Sequence, residues 1–165
     1  MYNVGDKVVY PMHGAGVIEA IEKKEILGEV AEYYVMRIPI GNMKVMIPTT
    51  SVDELGIREV TDERKINDCL ADIKNRHIAE QKSWNRRYRE NLAKIRGGDI
   101  RELAEVVYQL KNRERERGLS TGERKMLDNA SQIFISEVIL SKSISPAEGE
   151  RLLERWLGEE NEQIN

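Results

Sequence analysis

The spacing of apolar residues changes near Thr61, and this change constrains the fold more than any other feature of the chain. Before it, β-branched and apolar residues come in short runs that end at glycine, proline or asparagine, as is typical of strands joined by tight turns. After it, apolar residues recur every three or four positions, as in amphipathic helices. We therefore predict two units, β then α, over residues 1–60 and 61–165. With only 5% aromatic residues, two small cores are expected rather than one large core.

The first unit contains four or five predicted strands. Runs of strand-forming residues occupy positions 7–10, 17–26, 32–38 and 43–47. Turns are expected at Gly28 and at Gly41 with Asn42, and Pro48 ends the last run. No segment between the runs is long enough for a helical crossover, so the sheet must be antiparallel and strongly bent. We predict a small SH3-like or Tudor-like antiparallel β-barrel, which suits a binding module.

The second unit is predicted to be a compact all-helical domain of about five helices. Their expected bounds are residues 63–75, 84–96, 100–115, 123–140 and 146–157. Gly97 with Gly98 and then Gly118 are placed to end helices, and Ser120 and Ser145 each begin a capping box with a glutamate three residues later. Each predicted helix has one apolar face, so the five can share a core.

The predicted helix at 84–96 begins with a cluster of basic residues, Arg86, Arg87 and Arg89. Its apolar residues form one stripe at helical spacing: Trp84, Tyr88, Leu92 and Ile95. Positive charge is unfavourable in the first turns of a helix, because the helix dipole places its own positive end there. We therefore expect the arginines to serve an anionic partner, of which phosphate is the most obvious. The polar segment before the helix, residues 76–83, is predicted to be a loop.

The distribution of charge supports a local anionic partner. The net charge of −3 alone argues against nucleic acid, but residues 76–125 carry 14 basic and 8 acidic side chains. Residues 1–75 carry 9 and 13, and residues 126–165 carry 3 and 8. Because salt screens charges beyond about 8 Å, the basic middle acts independently of the acidic ends. Alternating charges at 111–117 fit a solvated helix, whereas the arginines at 86–89 do not.

Two interpretations of Trp84 follow from its position. Periodicity alone favours the core, since a tryptophan at the start of an apolar stripe is usually packed there. Its place in the first turn, after a polar segment and beside the arginines, favours the surface instead. Exposed aromatic rings within basic patches stack on bases or wedge between base steps. Tyr88, one turn further along, is the better candidate for the core, and Trp156 is interpreted as structural.

The sequence offers little for catalysis or for a cofactor. The two histidines, His13 and His77, lie in different predicted units, and no phosphate-binding loop of the P-loop kind is present. The segment from His13 to Gly16 is predicted to be a tight turn, because no helix follows it. Cys69 is the only cysteine, which excludes an internal disulfide and a cysteine-based zinc site. We expect no enzyme activity, no cofactor or metal and no small-molecule substrate.

The sequence also predicts a cytoplasmic protein that does not contact a membrane. The first residues lack the charged and apolar regions of a signal peptide. No apolar run reaches the length of about 18 residues that a membrane-spanning helix needs.

Four stretches of the chain, in the same order, resemble the bacterial CarD family of transcription regulators. They are residues 4–16 (Val-Gly-Asp-Lys-Val-Val-Tyr-Pro-Met-His-Gly-Ala-Gly), the strand closed by Pro48, residues 84–92 (Trp-Asn-Arg-Arg-Tyr-Arg-Glu-Asn-Leu) and residues 117–127 (Arg-Gly-Leu-Ser-Thr-Gly-Glu-Arg-Lys-Met-Leu). The similarity runs from Val4 to about Leu157. It implies an N-terminal Tudor-like domain that docks on the β subunit of RNA polymerase, related to the polymerase-interacting domain of transcription-repair coupling factors. It also implies a helical domain that contacts promoter DNA at the upstream edge of the melted bubble.

The resemblance implies site residues on both units. The family tryptophan that enters the minor groove at the bubble edge matches Trp84. The predicted DNA-binding set is Trp84, Arg86, Arg87, Arg89, Arg124 and Lys125, in which Arg86, Arg89 and Arg124 match basic DNA contacts of the family. On the polymerase side, Lys24 matches a basic position. A second position, which is arginine in some members, is Met46 here, so a contact there would be apolar.

The predicted function is therefore a regulator of transcription initiation that binds polymerase and stabilises the promoter open complex. One alternative is a protein-interaction adaptor, whose helical domain binds an acidic protein surface rather than DNA. Crosslinking of the helical domain to promoter DNA in the presence of polymerase distinguishes the two. Another alternative, a stand-alone binder of single-stranded nucleic acid or RNA, would bind tightly without polymerase, and the acidic overall balance argues against it.

Overall fold

The computed structural model describes residues 1–75 and 83–158 of the chain. The predicted loop at 76–83 therefore lies outside the described residues except for Ser83, as does His77. Within them, an antiparallel sheet of five strands is followed by five α-helices, so the predicted order of β then α is confirmed.

The sheet contains β1 (Lys7–Tyr10), β2 (Gly14–Ile26), β3 (Glu29–Ile38), β4 (Met43–Pro48) and β5 (Arg58–Glu59). Their order across the sheet is β4-β3-β2-β1-β5. Among the described residues, β4 and β5 are edges that do not pair with each other, so the sheet is open rather than a closed barrel. The long strands β2 and β3 begin three residues earlier than the sequence predicts, and the two-residue β5 is not among the predicted strands. The bent antiparallel architecture agrees with the predicted Tudor-like class.

Strand register explains the core of the sheet. Ile18 lies opposite Met36, and Tyr34 lies opposite Ile47, so these four side chains share one face. The buried apolar side chains of this cluster are Val8, Ile18, Tyr34, Met36, Ile38, Ile47 and Ile57. On the opposite face Val35 is buried, whereas Arg37, Lys44 and the outer half of β2 are exposed or half-buried.

The segment from His13 to Gly16 is only partly the tight turn that the sequence predicts, because Gly14, Ala15 and Gly16 belong to β2. Residues 11–13 form the turn, and β2 begins at Gly14. The Cβ of a side chain at Gly16 would collide with the carbonyl oxygen of Arg37, so only glycine fits there. This glycine-rich segment is therefore explained by packing rather than by anion binding.

The helices are α1 (Glu63–Asn75), α2 (Trp84–Gly97), α3 (Ile100–Glu116), α4 (Thr121–Lys142) and α5 (Pro146–Trp156). The predicted bounds agree to within two residues at every end. The predicted caps form: the Oγ atoms of Ser120 and Ser145 each accept the backbone N–H of the glutamate three residues later, at 3.2 Å. Gly98 ends α2 in the left-handed conformation, with φ of 77°.

The central helix of the molecule is α4. It packs against α1, α3 and α5 and also against β2. Residues 133–140 of α4 are all buried, although they include Ser136 and Glu137. A helix that is buried on every side needs partners for its polar groups. The sheet supplies them.

Hydrogen bonds and an ion pair join the sheet to α4. The guanidinium of Arg58 on β5 donates to both carboxylate oxygens of Glu137, at 2.7 and 2.8 Å, and the backbone N–H of Thr61 donates to the same carboxylate at 2.9 Å. The backbone N–H of Ala15 donates to Ser136 Oγ at 2.8 Å. These bonds attach the sheet directly to the helix that forms the middle of the second unit.

Candidate functional site

Trp84 is the first residue of α2, and its side chain is held in place while it remains accessible. The residue is 44% exposed. Its Nε1–H donates to Ser120 Oγ at 3.0 Å, and its ring stacks on that of Tyr88, with centroids 5.2 Å apart and planes 19° apart. Because a hydrogen bond and a ring stack act together, the exposed indole has a defined orientation.

The surface position of Trp84 agrees with its place in the first turn of α2. Ser83 is the N-cap of α2, and its side chain accepts from the backbone N–H of Arg86. Along the predicted stripe, Ile95 is buried and Tyr88 is half-buried, whereas Trp84 lies at the exposed end. Periodicity alone favours the core for this tryptophan, but its first-turn position leaves the ring accessible.

Arg87 has a different role from its predicted one. Its side chain is only 7% exposed, and it is paired with Glu123 on α4, whose side chain is 2% exposed. Nε donates to Oε2 at 2.7 Å and Nη2 donates to Oε1 at 3.1 Å. If Arg87 contacted DNA, this buried pair would break. The Glu123 carboxylate would then stay buried without its guanidinium partner, which is strongly unfavourable. Arg87 is therefore a structural residue and does not belong to the exposed basic surface.

Hydrogen bonding determines the ionisation of Glu123. The bonds from Arg87 hold the pKa of this carboxyl below its ordinary value, and the hydroxyl of Ser120 acts in the same direction. Burial raises the pKa, but by less than the hydrogen bonds from Arg87 lower it. The carboxylate therefore stays charged, which keeps the buried ion pair intact.

The remaining predicted DNA-binding side chains, Arg86, Arg89, Arg124 and Lys125, are all exposed. Arg86 pairs with Glu90 at 3.1 Å and Arg124 pairs with Glu114 at 3.1 Å, both with more than half of the arginine side chain accessible. Arg89 Nε donates to the carbonyl of Asn85 at 3.4 Å. Exposed pairs of this kind contribute at most about 1 kcal/mol, so a phosphate can compete for these arginines.

The first turns of α2 and α4 adjoin each other. The Trp84–Ser120 hydrogen bond joins them, and a Cβ at Gly122 would lie 3.6 Å from the Tyr88 ring and 3.9 Å from the Trp84 ring. The exposed basic residues of α2 and of α4 therefore lie at neighbouring helix starts. The indole of Trp84 connects these two helix starts. A shallow depression beside Arg86 and Arg89 is lined also by Glu90 and Ala93.

The two predicted polymerase-binding residues lie on one face of the sheet. Lys24 is directly opposite Ala31, and Met46 is directly opposite Val35. Ala31 and Val35 are both odd-numbered positions of β3, and alternate residues of a strand share a face. Lys24 is exposed and Met46 is 36% exposed. Tyr33, which is half-buried, lies on the same face between them.

Other chemistry-bearing residues form no second site within the ranges that the structure describes. His13 lies in the turn after β1, its ring packs edge-on against Tyr10, and burial lowers its pKa. Burial raises the pKa of the Cys69 thiol. Across residues 1–75 and 83–158, no cluster of three or more histidine, cysteine or acidic residues is arranged to hold a metal ion. None of the helices described there has both the length and the apolar character to cross a membrane.

Three residues of this site and its support are not predicted from the sequence. Ser120 is predicted only as a cap, and neither Glu123 nor Glu137 is predicted as the buried partner of an arginine. A local signal does exist in α2, since its buried residues Arg87, Asn91 and Ile95 recur every four positions. That spacing places two polar residues on the inner face of the helix, where they need partners.

Comparison with known proteins gives two family matches that together cover most of the chain. The CarD-like/TRCF RID domain matches residues 2–61, and the CarD C-terminal domain matches residues 68–154. YdeB of Bacillus subtilis, whose name gives it a provisional role as a transcription factor, is 45% identical over 145 residues, 88% of this chain and 95% of that protein. The 72-residue N-terminal domain of Myxococcus xanthus CarD, solved by solution NMR, is 36% identical, with a TM-score of 0.32 over 36% of this chain and 79% of that one.

Proposed function

Because this chain belongs to the CarD family of transcription regulators, we propose that it binds the β subunit of RNA polymerase and stabilises the promoter open complex. The family resemblance drawn from the sequence is thus confirmed. In it, the helical unit contacts DNA at the upstream edge of the bubble, where the Trp84 ring enters the minor groove. Such a protein acts in the cytoplasm, where promoters and polymerase are.

The observation that supports a DNA contact best is the exposed and oriented indole of Trp84. Its Nε1–H is bonded to Ser120 and its ring is stacked on Tyr88, yet 44% of the residue is accessible. Exposed basic side chains, Arg86 and Arg89 on α2 and Arg124 on α4, accompany it on the adjoining helix starts. An apolar wedge beside arginines is a common arrangement in proteins that bind a distorted minor groove.

The proposed mechanism needs neither a nucleotide nor a metal. A protein that binds open DNA better than closed DNA shifts the melting equilibrium by its difference in affinity alone. Stacking of one base on an aromatic ring contributes about 1–3 kcal/mol. A preference of that size shifts the melting equilibrium toward the open complex roughly ten- to a hundredfold. In the proposal this preference acts on the rate of bubble collapse, so the open-complex lifetime lengthens by the same factor.

The sheet is proposed to hold the protein on polymerase through the face that carries Lys24 and Met46. The family match over residues 2–61 supports polymerase binding by this unit, because that domain type is shared with transcription-repair coupling factors. Tethering raises the local concentration of the helical unit near the promoter. A few arginines and one aromatic ring are then sufficient for a DNA contact that would be weak on its own.

Replacement of Trp84 by alanine tests the proposal. We expect Trp84→Ala to fold and to bind polymerase normally, and to shorten the open-complex lifetime about ten- to a hundredfold, because one base-stacking interaction is removed. Val4→Ala, which truncates another exposed apolar side chain outside both proposed surfaces, is the matched control. An unchanged lifetime, or a failure of Trp84→Ala to bind polymerase, would contradict the proposed role of this residue.

A crosslinking experiment separates the proposal from the adaptor alternative. A photoreactive amino acid placed at Asn85, which is exposed beside Trp84, is used in the full complex of protein, polymerase and promoter. Crosslinks to promoter DNA at the upstream bubble edge support the proposal. Crosslinks to protein alone would instead support a helical unit that binds an acidic protein surface.

A further inference from the structure

The hydroxyl of Ser120 makes three hydrogen bonds at once. Its oxygen accepts the Nε1–H of Trp84 at 3.0 Å and the backbone N–H of Glu123 at 3.2 Å, and its proton is directed to Glu123 Oε1 at 3.2 Å. A serine hydroxyl has one proton to donate and two lone pairs that accept. The hydrogen-bonding capacity of Ser120 is thus fully used, which fixes the hydroxyl and the indole that donates to it.

These bonds belong to a closed network between α2 and α4. From Trp84 on α2 the network passes to Ser120 and Glu123 on α4, and Glu123 is bonded in turn to Arg87, which lies on α2 three residues after Trp84. The Arg87 and Glu123 side chains are buried, so the inner part of the network is protected from water. A buried network in which each member is satisfied is rigid, because any rearrangement would leave a buried polar group unpaired.

The second constraint on the indole is independent of the network. The Tyr88 ring lies nearly parallel to it at 5.2 Å, so stacking restricts the tilt of the ring while the hydrogen bond restricts its rotation within the plane. An unrestrained tryptophan would lose rotamer freedom when it meets DNA. The restrained indole has already lost that freedom on folding.

We propose that Ser120 is a positioning residue for Trp84, which fixes the exposed indole in the orientation that meets DNA. The inference rests on the proposed function of Trp84. It has a second consequence, since the Nε1–H is the only polar group of the indole and is donated to Ser120. The ring therefore presents only its apolar surface to the bases and contacts them without reading their hydrogen-bonding edges, so the contact is tolerant of sequence.

The chain contains a matched control for substitution of Ser120. Ser145 is the N-cap of α5, and its hydroxyl has the same cap geometry, accepting the Glu148 backbone N–H at 3.2 Å and lying 3.3 Å from the Glu148 carboxylate. Trp84 donates to Ser120 and Trp156 donates to the Leu70 carbonyl, so neither indole N–H is bonded to Ser145. Ser120→Ala and Ser145→Ala thus each remove a helix cap, but only the first removes the bond to Trp84. Ser120→Thr retains the hydroxyl and serves as the conservative rescue.

The experiment measures open-complex lifetime for the three full-length variants with polymerase and promoter, at a temperature where all are folded. Without pre-orientation of the indole, the lifetime is expected to be about 2- to 10-fold shorter in Ser120→Ala. Ser145→Ala and Ser120→Thr are expected to match the unmodified protein. In the free protein, the indole N–H resonance of Trp84 should shift and exchange faster in Ser120→Ala, while that of Trp156, bonded to the Leu70 carbonyl at 2.9 Å, stays unchanged.

The possible results separate the positioning role of Ser120 from the DNA contact of Trp84. If Trp84→Ala shortens the lifetime and Ser120→Ala does not, the positioning role of Ser120 is overturned. The proposed contact between the Trp84 ring and DNA is then retained. If Ser145→Ala shortens it as much as Ser120→Ala does, the effect comes from removal of a cap and the positioning role is also overturned. If Trp84→Ala has no effect, the proposed function itself fails. In the Trp84→Ala background, Ser120→Ala is expected to cause no further change.

Discussion

Arg87 on α2 and Glu123 on α4 form a buried ion pair with two parallel hydrogen bonds, at 2.7 and 3.1 Å. The pair links the two helix starts that carry the exposed indole and the exposed arginines. Parallel bonds between a guanidinium and a carboxylate fix distance and orientation together. One arginine of the cluster thus has a structural role, and its exposed neighbours are accessible to an anionic partner.

The first prediction concerns the stability contributed by this pair. Glu123→Gln removes the carboxylate that accepts both parallel hydrogen bonds from the buried Arg87 guanidinium, so we expect the unfolding free energy to fall by about 3–5 kcal/mol. Urea denaturation measures it. Glu90→Gln removes the partner of Arg86 in an exposed pair and is expected to cost no more than about 0.5 kcal/mol. Equal decreases in the two variants would show that burial does not strengthen the Arg87 pair.

The second prediction is the dependence of that contribution on pH. The pKa of Glu123 is lowered in the folded protein, mainly by hydrogen bonding from Arg87. The folded state therefore binds fewer protons than the unfolded state. The stabilisation is complete above the unfolded pKa of about 4.3 and is lost as the pH falls through the lower folded value. The difference in unfolding free energy between the unmodified protein and Glu123→Gln should thus be constant from about pH 5 to 7 and shrink below about pH 4. A difference that persists at low pH would contradict it.

Local chemistry explains which parts of the fold could be predicted from sequence. The α-helix bounds depend on caps and glycines that act within a few residues, such as Ser120 with Glu123 and Gly98 after α2. The β2–β3 turn follows from a similar local requirement, with Leu27 and Gly28 at φ of 53° and 81°, as a tight hairpin needs. Neither feature depends on the rest of the fold.

Pairing between distant residues explains what could not be predicted. Arg87 and Glu123 are 36 positions apart, and Arg58 and Glu137 are 79 apart, so no local pattern relates the partners. Strand β5 has only two residues, and its pairing with β1 depends on the tertiary fold. For Trp84, the apolar periodicity predicts a buried ring and the position in the first turn predicts an exposed one. Only the packing of α2 on α4 decides between these two predictions.

The third prediction concerns the attachment of the sheet to α4. Glu137 is fully buried and accepts hydrogen bonds from Arg58 and from the backbone of Thr61. Glu137→Ala leaves these donors without this acceptor and is expected to lower the unfolding free energy by about 3–5 kcal/mol. We also expect the sheet to lose protection from amide hydrogen exchange before the helices do. Glu63→Ala, which removes the exposed partner of Lys142, is the control. A uniform decrease of protection over the whole chain would show that the attachment does not hold the sheet separately.

The last prediction addresses the proposed DNA surface through its charge. Arg86→Glu and Arg124→Glu should each weaken promoter binding in the polymerase complex. Each should also make the logarithm of affinity fall less steeply with the logarithm of salt, by about 1 for every phosphate that is no longer neutralised. Glu114 also pairs with Lys111 at 3.0 Å, so this carboxylate keeps a basic partner when Arg124 is replaced. Arg151→Glu changes the net charge by the same amount at an exposed position on α5, so it controls for the change in net charge. If the two substitutions on α2 and α4 change the salt dependence no more than Arg151→Glu does, the phosphate contacts lie elsewhere on the protein, since a contact made by Arg86 or Arg124 must release counterions from the DNA when it forms.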